Sequence, residues 1–152
     1  MKFRTHISLD VANLDASVDF YTIVFGTEPS KQRSDYANFR LQEPALHLAL
    51  VAQSGHTSQI SPNQHFGIEL FEDGQLNNWR ERVTAAGLVP RIEESVTCCY
   101  AVADKFWLQD PDGNDWEFWV YKSEAESMHA QESNNCCAPS IPKPVETACC
   151  GS

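Results

Sequence analysis

At 152 residues the chain is long enough for one domain with a buried core, and 42% hydrophobic with 11% aromatic content speaks against a disordered chain. A net charge of −10 argues against the basic patches that nucleic acid or an anionic membrane surface needs. No apolar h-region follows Met1, and no run approaches the roughly 20 apolar residues of a membrane span, so a cytoplasmic protein is expected.

In chain order, THISLDV at 5–11 alternates as a strand and carries His6 near its start. Leu14, Val18, Tyr21 and Phe25 then form one apolar helical stripe, with Asn13 as N-cap and Gly26 as the stop. Short strands are expected at about 28–33, Tyr36–Gln42 and Leu46–Ala52. The same order then begins again. QHFGIEL at 64–70 carries His65, and Leu76, Trp79, Val83 and Ala86 stripe a second helix between Asp73 and Gly87. Strands are expected at Leu88–Glu93, Tyr100–Leu108 and Trp116–Tyr121, the last two joined by the turn sequence Asp110-Pro111-Asp112-Gly113-Asn114. The pattern is βαβββ written twice, an α+β fold with modules of about 1–55 and 60–122. From Ser123 to Ser152 the chain lacks large aromatics and contains Pro139, Pro142 and Pro144, so 123–152 reads as a flexible tail.

Strand parity sorts the polar residues. His6 lies opposite Ile7, Leu9 and Val11, His65 opposite Phe66, Ile68 and Leu70, and Glu117 opposite Trp116 and Phe118. Both histidines and the glutamate therefore face away from the helices. If the two sheets curve toward each other, His6, His65 and Glu117 converge in a central metal-holding cavity. Two imidazoles and a carboxylate make a facial triad suited to Fe(II), with positions left open for substrate and dioxygen; manganese, zinc and nickel accept similar donors. His47 is roughly equivalent to Glu117 in the first module and is assigned a pocket role rather than a ligand role. His56 and His129 fall in polar or tail segments and are expected to be solvated.

The six cysteines form three adjacent pairs, Cys98-Cys99, Cys136-Cys137 and Cys149-Cys150. Neighbouring Cα atoms about 3.8 Å apart are too close for an unstrained disulfide, and a reducing cytosol favours thiols. Two thiolates can chelate one trivalent arsenic or antimony. In a regular strand Cys98 and Cys99 would point apart, so chelation demands distorted backbone there. The tail pairs read as additional soft-metal hooks. No phosphate loop, nucleophilic triad or zinc-finger spacing is present, and DPDG lacks the glutamate of a calcium loop.

The paired βαβββ units, their leading histidines and DPDGNDWEF at 110–118 resemble the vicinal oxygen chelate superfamily of glyoxalases, bleomycin-resistance proteins and extradiol dioxygenases. More narrowly, TCCYAVADKFWLQDPDGNDWEFWVYK at 97–122 and the cysteine-bearing tail resemble the organoarsenical C–As lyases, a group overlapping cadmium-induced proteins. The resemblance implies Fe(II) held by His6, His65 and Glu117, which are then also the catalytic residues. It implies arsenic held by Cys98 and Cys99, with Lys105 on a mobile loop near the substrate. The implied reaction is dioxygen-dependent cleavage of the carbon–arsenic bond in methylarsenite or trivalent aromatic arsenicals, giving arsenite. Two alternatives stand beside it: a cytosolic cadmium- or arsenic-sequestering protein, and a glyoxalase-like isomerase or ring-cleaving dioxygenase. Monomer and homodimer both remain open.

Overall fold

The computed structural model describes residues 3–56 and 64–129. The first module comprises β1 (Thr5–Val11), α1 (Leu14–Phe25), β2 (Lys31–Gln32), β3 (Tyr36–Arg40) and β4 (Leu46–Ala52). The second comprises β5 (Phe66–Leu70), α2 (Asp73–Ala85), β6 (Arg91–Cys98), β7 (Ala101–Gln109) and β8 (Asp115–Glu124). Each module is one four-stranded sheet, ordered β1-β4-β3-β2 and β5-β8-β7-β6. In both, the first strand pairs parallel with the last and the other pairs are antiparallel. The α+β fold of two βαβββ modules expected from the repeat is thus present.

The elements form for local reasons. Asn13 caps α1 by accepting from the Ala16 amide, and Gly26 ends it in the left-handed region at φ 66°. A side chain at Gly26 would also meet Arg82, whose Cδ lies 3.1 Å from the position of an added Cβ. Pro29 has no N–H to offer a ladder, and β2 shrinks to two residues rather than the expected 28–33. β6 also departs from expectation. It starts at Arg91, after Pro90, and runs on to Cys98 instead of stopping at Glu93. A register shift between Glu93 and Val96 interrupts the alternation by which that strand would have been recognised.

The two modules pack through their helix-bearing sides. Leu14, Val18, Tyr21 and Phe25 are all buried, as are Trp116, Phe118 and Phe106 from the second sheet. Tyr21 meets Trp116 edge-on with ring centroids 5.7 Å apart, and Phe25 reaches both Trp79 and Trp116. The polar centre of this contact is Asp110. Its carboxylate accepts from the Tyr21 hydroxyl at 2.7 Å, the Asn114 side-chain amide at 2.7 Å, and the backbone N–H groups of Asp112 and Asn114. Tyr21 in turn accepts from Trp116 Nε1 at 3.0 Å. The next acid, Asp112, accepts from the Ala12 amide and the Ser17 hydroxyl. The turn of the second module is therefore bonded to the start and the middle of α1. No described helix is long and apolar enough to cross a membrane.

Asp110→Ala strips a buried carboxylate that serves four donors, and is expected to lower unfolding free energy by about 3 kcal/mol. Tyr21→Phe is expected to cost about half as much. Urea denaturation midpoints measure both. Burial, and then the Asp110 charge, hold the Tyr21 hydroxyl well above its ordinary pKa. Its contribution is complete below the ordinary tyrosine pKa and is lost as pH rises toward the raised value, so the stability gap between the parent chain and Tyr21→Phe should narrow as pH rises above the ordinary tyrosine pKa.

Candidate functional site

Parity places the candidate residues as expected, on the faces turned away from the helices. On the second sheet, Glu117 of β8 and His65, just before β5, approach with Nε2 and Oε2 3.4 Å apart. Gly67 is the ladder partner of Glu117, and a Cβ there would lie 3.8 Å from Oε2, so glycine leaves the carboxylate open to approach. The His65 ring stands edge-on to Trp107 at 5.0 Å. The other carboxylate oxygen, Oε1, accepts from Lys105 Nζ at 2.9 Å.

Lys105 differs from the expectation of a mobile loop. It sits inside β7, only 4% exposed, paired in the ladder with Glu93 and Trp119. Those pairings make the segment a central strand, and burial makes the ammonium dependent on its acids: Glu117, and Glu93 at 3.7 Å. Burial pulls its pKa down, but the hydrogen bond and charge of Glu117, with Cys98 and Glu93, outweigh it and raise the net value. Cys98 pairs with Ala101, four residues before Lys105 along β7, and so lies on the same face of the sheet.

Cys98 ends β6 opposite Ala101, so Cys99 and Tyr100 form a two-residue hairpin turn with φ of 56° and 66°. Such mirror-image turns normally use glycine or asparagine, and the left-handed region costs other residues about 1–2 kcal/mol each. The distortion that chelation demands is located here. The two sulfurs lie 3.4 Å apart, with Cys99 exposed and Cys98 half-buried. The chain after β8 returns along this turn. Ala125 donates to the Tyr100 carbonyl, Cys99 donates to that of Met128, and His129 bridges Cys98 through the backbone. His129 and His56 are half-buried rather than solvated. Cys136, Cys137, Cys149 and Cys150 lie outside the described residues.

His6 is elsewhere. It stands on the first sheet beside its ladder partner His47, ring centroids 4.5 Å apart. Among the described residues His47 Nε2 is buried with no hydrogen-bond partner, and burial, then His6, lowers the pKa of its imidazole. The ladders also refine the comparison between modules. Ser8 corresponds to Gly67, and their partners are Ala49 and Glu117; the counterpart of Glu117 is Ala49, two residues past His47. Among the described residues no group of three or more His, Cys, Asp or Glu side chains could hold a metal ion. One chain brings His65, Glu117, Lys105 and Cys98 onto one face and leaves His6 with His47 on another. Trp107, whose ring meets His65 and lies under Lys105 and Arg91, was not singled out by sequence; its alternation with Lys105 along one strand was the available signal.

Residues 4–118 match the family model described as the Glyoxalase/Bleomycin resistance protein/Dioxygenase superfamily. A probable trivalent organoarsenical cleaving enzyme of Bacillus subtilis is 38% identical, with 99% of this chain and 100% of that protein aligned. A trivalent organoarsenical cleaving enzyme of Thermomonospora curvata is 37% identical over 90% of this chain and 89% of that protein. The cadmium-induced protein CadI of Mycobacterium bovis is 33% identical over 87% and 85%. A glyoxalase/bleomycin resistance protein/dioxygenase crystal structure from Alicyclobacillus acidocaldarius superimposes with TM-score 0.61 at 19% identity, covering 80% of this chain and 92% of that one. The chain belongs to the glyoxalase/bleomycin resistance protein/dioxygenase superfamily and is homologous to organoarsenical cleaving enzymes.

Lys105→Met should leave Glu117 and Glu93 facing each other without their cation, destabilising the fold by about 3 kcal/mol. A lysine with a raised pKa stabilises fully below the ordinary lysine value and loses this as pH rises through the raised one. The gap between wild type and variant in urea melts should therefore persist across neutral pH and close only at strongly alkaline pH.

Proposed function

From this superfamily membership we propose that the chain cleaves the carbon–arsenic bond of trivalent organoarsenicals, methylarsenite and aryl arsenicals among them, with Fe(II) and dioxygen, releasing arsenite in the cytoplasm. The observation that carries the reading is a pair of sulfurs 3.4 Å apart at the end of the strand face that holds Lys105, Glu117 and His65. The homologous organoarsenical cleaving enzymes, aligned over nearly the whole chain, support it.

In this reading Cys98 and Cys99 bind arsenic as thiolates and present the As–C bond to the face carrying His65 and Glu117. Trivalent arsenic is required because only that state has strong affinity for thiolates. Lys105 is too buried and too closely paired with Glu117 to grip substrate directly; it neutralises and orients the carboxylate from below. His65 and Glu117 are donors of the right chemistry for Fe(II), and His6 is the third. Iron, when bound, supplies the one-electron chemistry that dioxygen needs, while the chain contributes proximity and orientation. Ala49, at the ladder position matching Glu117, carries no donor, which favours three protein ligands over the four of a glyoxalase-like isomerase.

Because His6 and the His65–Glu117 pair face outward from opposite modules, the reading includes a homodimer in which His6 of one copy meets His65 and Glu117 of another. Such two-fold exchange satisfies both sites at once. His6→Ala and His65→Ala should each be inactive, yet a refolded equal mixture should recover roughly a quarter of wild-type turnover, since half the dimers are mixed and each mixed dimer holds one intact site. A mixture as inactive as its parts would place the triad within one chain.

Aerobic turnover of trivalent methyl- and phenylarsenicals by Fe(II)-loaded protein, with arsenic speciation, tests the activity itself. Arsenite release that requires iron and disappears in Cys98→Ser is expected. Tight arsenic binding without arsenite would instead favour sequestration, the reading to which the cadmium-induced relatives lend weight.

A further inference from the structure

The face on which Cys98 sits depends on an irregularity two turns of the pleat away. Glu93 pairs with Lys105, Val96 with Ala103 and Cys98 with Ala101, so all three share the Lys105 face. Without the shift between Glu93 and Val96, strict alternation would group Glu93 with Ser95 and Thr97 and turn Cys98 toward the helices. One extra residue, accommodated as a bulge at Glu94–Ser95, reverses that parity.

The bulge is held by one side chain. Ser95 has φ 52°, a left-handed conformation that serine adopts only under constraint, and its N–H donates to Asp104 Oδ1 at 2.7 Å. A second bulge flanks β7 on the other side. Val102 pairs with Ser123 but Ala103 pairs with Tyr121, leaving Lys122 as the extra residue of β8. Lys122 pairs with Asp104 Oδ2 at 3.1 Å and with Asp73 at the start of α2. Both bulges, one in each neighbouring strand, are thus held by the two oxygens of one carboxylate.

We propose that Asp104 is the positioning residue of the dithiol: by holding the bulges at Ser95 and Lys122 it turns Cys98 onto the face of His65, Glu117 and Lys105. This rests on the reading above that Cys98 and Cys99 hold trivalent arsenic. Asp104 does not touch substrate. It faces away from the site, and its effect passes through backbone parity. The Ser95 amide, and then Lys122, hold the Asp104 carboxyl below its ordinary range, consistent with that grip.

The proposal separates capture from aim. The test uses the full-length chain with Cys136, Cys137, Cys149 and Cys150 replaced by serine, 4-fluorophenylarsine oxide as the probe arsenical and Mn(II) as a paramagnetic probe metal. Capture is read by titration, and aim by broadening of the bound fluorine resonance by Mn(II). In the parent chain the arsenical binds one to one and is broadened. Asp104→Leu and Ser95→Val, the latter placing a β-branched residue at φ 52°, should still bind one to one but lose the broadening and at least tenfold in arsenite release under Fe(II). Ser95→Gly, which accepts that φ without constraint, should behave as the parent and restore broadening when combined with Asp104→Leu. Urea melts run beside each variant separate aim from stability, because capture and broadening are compared only where the folded state is fully populated. Should Asp104→Leu fail to fold, Ser95→Val carries the same test from the other end of the hydrogen bond. Folded variants with broadening and turnover unchanged would overturn the proposal. Unchanged capture by Cys98→Ser would instead remove the arsenic reading on which it stands.

Discussion

A single buried carboxylate decides how the two halves of this protein face each other. Asp110 accepts from Tyr21 of the first module while closing its own turn through Asp112 and Asn114, and Tyr21 accepts from Trp116 of the second sheet. Each group would be costly to bury alone; together they are satisfied. Because the partners are on α1 and on the helix-facing side of β8, the knot can form only with the helical sides inward. The outward aspect of His6 and of His65 with Glu117 follows from that choice.

Charge on the outward face is balanced strand by strand. Lys105 lies between Glu93 in β6 and Glu117 in β8 and gives the second sheet a buried cation between two acids. His65 and Trp107 border this group, and the hairpin of Cys98 and Cys99 lies at its end. The first sheet has no such balance. Its outward face carries two imidazoles side by side, and burial, then the neighbouring His6 and Arg40, lower the pKa of His47. The modules share a backbone plan but present different chemistry: an acid with its counter-cation on one, a pair of imidazoles beside Arg40 on the other.

Much of this was legible in the residues. The repeat, the capped first helix and the parity of His6, His65 and Glu117 follow from period and turn chemistry, and each holds in the structure. The superfamily was readable from the leading histidines and DPDGNDWEF, and the family match agrees. What was not legible involves residues that break a period. The alternation stops at Glu93 because a bulge destroys it there, whereas Lys105 lies in the strand that its own neighbours predict at Tyr100–Leu108, and only the resemblance implied a mobile loop. His47 looks equivalent to Glu117 in the sequence because the modules differ in length between first and last strand; the ladder gives that place to Ala49.

The bulge at Ser95 makes the β6–β7 hairpin behave like a reading frame. Along β7 an acid, Asp104, and a base, Lys105, are adjacent and so face opposite sides of the sheet. A substitution in this hairpin alters one contact and its effect is graded. A one-residue insertion or deletion elsewhere in it exchanges the two faces, presenting acid where the site has its cation and turning a thiol toward the core. Descendants of this chain can therefore drift in the identity of most hairpin residues, yet a change in their number must be matched by a second change that restores the phase.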